Sequence, residues 1–118
     1  MYRKPAIIMA LLLLLSTCVS PALAQEPARI TVVATTFPLY DWTRQVLGEL
    51  GEAVSLHLLQ DAGVDLHNFQ PTVEDMVQVS GADVFIYVGG PSDHWVKDAL
   101  AEAVNPRQIP LNLMEALG

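Results

Sequence analysis

At 118 residues and 52% hydrophobic content, the chain has room for one small domain or for part of a larger protein. Thirteen acidic residues against six basic ones give a formal charge of −7, and with no basic cluster the composition argues against nucleic acid or an anionic membrane surface as a partner. A single cysteine, Cys18, excludes a disulfide framework.

The apolar excess is greatest at the N-terminus. Arg3 and Lys4 precede an apolar run over residues 6–15, and Ala22-Leu23-Ala24 supplies an A-x-A cleavage site before Gln25. Residues 1–24 therefore read as a secretory signal peptide. A membrane anchor fits less well, because the run is shorter than the roughly 20 residues a bilayer requires and Ser16, Thr17 and Pro21 interrupt its end. Leu15-Ser16-Thr17-Cys18 superficially resembles a lipoprotein acylation site, although Thr17 is bulky for the position before the acylated cysteine. Cleavage after Ala24 leaves four basic residues against all thirteen acidic ones, a formal charge of −9, and no cysteine. A metal site in the exported chain must then be built from histidine and carboxylates.

Residues 25–118 alternate strand and helix signals. Residues 29–35 are β-branched and almost continuously apolar, as in a strand buried on both faces. Thr36 can cap a helix with Pro38 in its first turn, whose inner face would be Leu39, Thr43, Val46, Leu47 and Leu50, with Gly48 and Gly51 marking its end. Residues 53–60 form a second strand, and a polar loop over residues 61–71 follows it. Thr72 and Asp75 make an approximate capping box for a second helix that Gly81 ends. Residues 83–88 are a third strand, stopped by Gly89-Gly90-Pro91. Ser92 can cap a third helix with Trp95, Val96, Ala99, Leu100 and Ala103 inward and Asn105-Pro106 at its end, and residues 108–113 complete the series as a short fourth strand. This order predicts an α/β fold with about four parallel strands, right-handed crossovers and flanking helices.

Ligands of such sheets gather at the carboxyl ends of the strands, where the loops over residues 35–38, 60–71 and 89–93 form the expected wall. No glycine-rich phosphate cradle with a lysine and no nucleophile elbow is present. The loops offer instead His67 with Asp61 and Asp65 close in sequence, and the pair Asp93-His94. A neutral imidazole suits zinc, and carboxylates can complete or orient such a site. Each residue also has a plainer reading. His67 can be an ordinary surface residue, His57 a polar residue on a partly exposed strand, and His94 a solvated residue in the first turn of a helix. Asp93 can be a favourable charge at a helix start, and Phe69, Tyr87, Trp42 and Trp95 packing residues.

The segments Val33-Ala34-Thr35-Thr36-Phe37-Pro38-Leu39-Tyr40-Asp41-Trp42, Asp65-Leu66-His67-Asn68-Phe69-Gln70-Pro71-Thr72 with Asp75-Met76, Ala82-Asp83, and Tyr87-Val88-Gly89-Gly90 with Trp95 resemble, in order, the N-terminal lobe of the zinc/manganese-binding substrate-binding proteins of ABC importers. The resemblance covers residues 29–117. It implies a Rossmann-like lobe, half of a bilobal fold, that captures Zn²⁺ or Mn²⁺ as transported ligand for an ABC permease in the membrane, without enzymatic turnover. It also implies an exported protein on the periplasmic or extracellular side, and His67 as first metal ligand, with Asp65 and His94 as weaker candidates. The family's other ligands would come from a second lobe that follows the point where this sequence stops, so a fragment is the expected status of the chain. Leu66 departs from members that carry an acidic residue before the motif histidine, and the long His/Asp/Glu-rich loop of many zinc members is absent. Three other readings stay open on the residues alone: an exported protein-interaction module, a half-site without tight metal binding, and a hydrolase fragment using Asp65, His67 or Asp93.

Overall fold

The computed structural model describes residues 29–60 and 65–118. The expected signal peptide, Cys18 and Asp61 lie outside them. Among the described residues, β1 (Ile30–Ala34), β2 (Val54–Leu58), β3 (Val84–Tyr87) and β4 (Ile109–Asn112) form one all-parallel sheet in the order β2-β1-β3-β4. Helices α1 (Phe37–Leu47), α2 (Val73–Gly81) and α3 (Val96–Ala101) fill the crossovers, and α4 (Leu113–Leu117) follows β4. This is the expected α/β lobe. No helix among the described residues is long and apolar enough to cross a membrane.

The pleat divides the apolar strand residues between two cores. Val33 and Phe85, partners across β1 and β3, point to one face and pack with Leu59, Val79, Ala82, Trp95, Val96 and Ala99 under α2 and α3. Val32, Ala34 and Ile86 point to the other, against Leu39 of α1. Burying a side chain as large as Phe85, which is fully enclosed, stabilises the fold by roughly 1.5–3 kcal/mol.

Helix α1 departs from expectation. Thr36 makes no side-chain capping bond, and of the predicted inner face only Leu39 is buried. Val46 and Leu50 are 86% and 69% exposed, and Trp42, expected to pack, is 58% exposed. The helix meets the sheet through its first turn, at Leu39 and Tyr40. At Gly48, with φ of 49°, the chain leaves the α conformation and continues as a 3₁₀ turn over Gly48–Ala53. Three residues per turn rotate Leu50 off the α-helical stripe. The same turn absorbs Ala53, so β2 starts one residue later than predicted.

Helix α2 begins as the sequence indicated. Thr72 Oγ1 accepts from the Asp75 N–H at 3.2 Å while Asp75 Oδ2 accepts from the Thr72 N–H at 2.7 Å, a reciprocal capping box. Ser92 does not cap α3. Pro91–Asp93 form a separate 3₁₀ turn, and α3 starts at Val96 without a side-chain cap. Trp95, Val96 and Ala99 are buried as predicted, whereas Ala103 lies beyond the helix end at Ala101. Leu113 opens α4 instead of closing β4, because Asn112 Oδ1 accepts from the Met114 and Glu115 N–H groups at 3.1 and 3.4 Å and starts a helix there.

At the amino ends of the strands Asp83 acts as a clamp. Its Oδ2 accepts from the Thr31 N–H at 2.8 Å and its Oδ1 from Asn105 Nδ2 at 3.0 Å. The Thr31 N–H first and the Asn105 amide second hold this carboxyl below its ordinary range.

Candidate functional site

The strand order reverses direction beside β1: the chain leaves β1 for β2 on one side and returns past it to β3 on the other. Ligand crevices form at such switch points, between the diverging loops. Here the diverging loops are the one after β1, at Thr35 and Thr36, and the one after β3, which carries Asp93 and His94; the loop after β2, which carries His67, stands at the same carboxyl end of the sheet.

The loops after β2 and β3 lean on each other. The 3₁₀ turn Leu66–Asn68 contacts the 3₁₀ turn Pro91–Asp93. Behind it the Phe69 ring meets Trp95 edge-on, with centroids 5.7 Å apart and planes at 60°, and Trp95 in turn packs on Phe85. The ring stack therefore connects the His67 turn to the buried centre of the sheet.

Asp65 organises the first turn. Its Oδ1 accepts from the His67 backbone N–H at 3.0 Å, a side-chain turn of the kind aspartate favours. The same oxygen lies 3.1 Å from His67 Nδ1. A neutral ring protonated at Nδ1 donates to the carboxylate there and leaves the Nε2 lone pair directed away from it. The His67 N–H first, then its ring, holds the Asp65 carboxyl below its usual range. The imidazole is 82% exposed. It is thus fixed at one edge and open at the other.

The second loop uses the same residue types differently. Asp93 is buried, and its Oδ2 accepts from the Gly89 N–H at 2.7 Å. It closes a turn containing Gly89 and Gly90 at φ of 92° and 80°, where side chains are strained and a Cβ on Gly89 would run into Asn112. Asp93 is therefore a structural acceptor and not a solvated charge at a helix start. His94 precedes α3 instead of lying in its first turn, and its Nδ1 stands 3.3 Å from the Pro91 carbonyl. His57 is exposed on the edge strand β2, its Nε2 3.0 Å from Ser55 Oγ.

The structure brings Asp65 and His67 into contact and does not bring His94 into a common ligand set with them. No group of three or more His, Cys, Asp or Glu side chains that could hold a metal occurs among the described residues. Sequence reasoning missed the buried state of Asp93; the signal was the Gly89-Gly90-Pro91 turn just before it, which needs an internal acceptor for its backbone N–H.

The described residues thus form an α/β lobe with one carboxylate-backed histidine, His67, exposed at the carboxyl end of its sheet, the arrangement of a candidate half-site. The chain belongs to the zinc-uptake complex component A, periplasmic (ZnuA) family, whose model matches residues 32–117. It is 33% identical over 70 residues to the zinc-binding protein AdcA of Streptococcus pyogenes serotype M6, a match covering 59% of this chain and 13% of that protein. Against the high-affinity zinc uptake system protein ZnuA of Bacillus subtilis it is 31% identical over 71 residues, covering 60% of this chain and 21% of the relative. The chain thus matches less than a quarter of the length of either relative. Among solved structures, the Zn(II)-bound ZnuA-like domain of Streptococcus pneumoniae AdcA superposes with a TM-score of 0.61 at 25% identity, over 72% of this chain and 31% of that one. The metal-dependent lipoprotein YcdH of Bacillus subtilis gives 0.62 at 26%, over 71% and 30%.

Proposed function

We propose that this chain is the N-terminal lobe of an exported solute-binding protein that captures Zn²⁺ or Mn²⁺ and delivers it to an ABC permease, with His67 Nε2 as a metal ligand. The observation that carries the reading is the His67 turn. Its imidazole is 82% exposed at the carboxyl end of the sheet while Asp65 engages Nδ1, the arrangement in which a carboxylate fixes the tautomer and raises the basicity of a metal-binding ring. Asp65 is then an orienting residue, not a ligand. Among the described residues His94 has no carboxylate partner, and it is not assigned to the metal.

The relatives' names favour zinc over manganese as cargo. A tight zinc site needs three or four protein ligands, so the remaining ligands come from a second lobe facing His67 across the crevice. The matched solved chains, of which this lobe accounts for about 30%, have length enough for one. Residues 1–24 act as the export leader, and the role is capture and delivery without turnover.

The test is zinc affinity of the complete gene product, by competition with a chromophoric chelator, before and after His67→Ala. Loss of capture with an unchanged thermal transition supports the assignment; unchanged affinity overturns it.

A further inference from the structure

Two buried polar groups lie behind the His67 turn without a partner among the described residues. Thr35 is fully buried and Trp95 is 8% exposed, and neither Thr35 Oγ1 nor Trp95 Nε1 has a hydrogen-bond partner among the described residues. Buried hydroxyl and indole N–H groups are nearly always satisfied, because leaving them unpaired in an apolar surround forfeits their hydration with no return.

Both belong to the same face and the same end of the sheet. Thr35 extends β1, its N–H bonded to the Ile86 carbonyl at 3.0 Å. Two residues after Val33, it falls on the Val33 side of the pleat. Trp95 packs on Phe85, the cross-strand partner of Val33, with ring centroids 6.0 Å apart. The nearby buried carboxylate, Asp93, is engaged with the Gly89 N–H. The indole can only donate, whereas a threonine hydroxyl donates or accepts. A water molecule meets both requirements, accepting from the indole and exchanging a hydrogen bond with the hydroxyl.

We propose that Thr35 Oγ1 and Trp95 Nε1 bind one buried water at the carboxyl end of β1 and through it position the His67 turn. The route to the turn is the Trp95 ring, which Phe69 meets edge-on at 5.7 Å, two residues after His67. A fixed indole fixes Phe69, and Phe69 fixes the angle at which the turn leaves the core. Thr35 and Trp95 are positioning residues in this account, whether or not His67 binds metal.

The test uses the complete protein in solution. Water-selective NMR should show a cross-peak between a long-lived water and the Trp95 indole proton. The near-isosteric Thr35→Val should abolish it, lower the melting temperature by about 4–8 °C, the shift expected for a modest loss in a domain of this size, and move the His67 and Phe69 amide resonances. Thr35→Ser keeps the hydroxyl and should keep the cross-peak and those resonances. Absence of the cross-peak in the unmodified protein, with Thr35→Val leaving the melting temperature unchanged or raised, would overturn the proposal by showing a dry, unpaired hydroxyl. Equal loss of the cross-peak in Thr35→Ser would also overturn it.

Discussion

The loops after β2 and β3 each set an aspartate close to a histidine, yet the structure gives the two pairs opposite uses. In the first, the carboxylate stays at the surface and reaches both the backbone and the ring of His67, leaving the imidazole fixed and exposed. In the second, the carboxylate turns inward to the Gly89 N–H, and His94 is left beside a backbone carbonyl. The difference lies in the backbone. Two positive-φ glycines curl the β3 loop inward and leave an N–H for Asp93 to satisfy, whereas Asp65, in extended conformation, begins a 3₁₀ turn whose exposed donor is the His67 N–H itself. Residue type alone does not fix how an Asp–His pair is used; the donor that each carboxylate must satisfy decides it.

The strongest way to break the comparison is to remove the ring. His67→Ala should lower zinc affinity of the complete protein by about 100-fold or more, the loss of one of four ligands, with no change in melting temperature, measured by chelator competition beside calorimetry. Asp93→Ala should do the reverse. A buried charge-assisted hydrogen bond of this kind contributes about 1.5–3 kcal/mol, visible as a lower midpoint in urea, and metal affinity should suffer only through the fraction unfolded. Asp65→Ala should leave the midpoint nearly unaltered and cut zinc affinity about 10-fold, the lower end for loss of a carboxylate behind a metal-binding histidine. His94→Ala should change neither quantity measurably.

The pH dependence sharpens the same contrast. Asp65 and Asp83 both have folded-state pKa values held below normal by accepted hydrogen bonds. Their contributions are complete above the ordinary carboxylate range, near pH 4, and are lost as the pH falls through the depressed values. Because Asp83 ties β1 to the residues before β4, its protonation should weaken the whole fold, and Asp83→Asn should flatten the acid limb of a stability-against-pH curve. Protonation of Asp65 should loosen only the His67 turn, as changes confined to its amide resonances.

Much of the fold was legible in the sequence because local and global signals agree. The alternation of apolar runs with capped helical segments predicts the four strands, and the Thr72 and Asp75 side chains cap α2 as their spacing indicates. Legibility failed where tertiary context decides. Periodicity placed Val46 and Leu50 in a core, but Leu39 is the one buried residue of the helix, and Gly48 changes the pitch before Leu50. Ser92 has the chemistry of a cap, yet Pro91 and the glycines fold it into a separate turn. At the site, His67 stood out through its motif. The Asp65 contact and the burial of Asp93 depend on backbone angles that spacing does not encode.

The central claim is that His67 binds metal through Nε2 with Nδ1 held by Asp65. Long-range ¹⁵N–¹H NMR of the histidine rings in the complete protein, recorded on addition of zinc, addresses it directly. The account predicts that His67 Nε2 shifts to the metal-bound range while Nδ1 keeps its proton and the rings of His57 and His94 stay unchanged. An unperturbed His67 ring under zinc saturation, or a shift at Nδ1 instead, would contradict it.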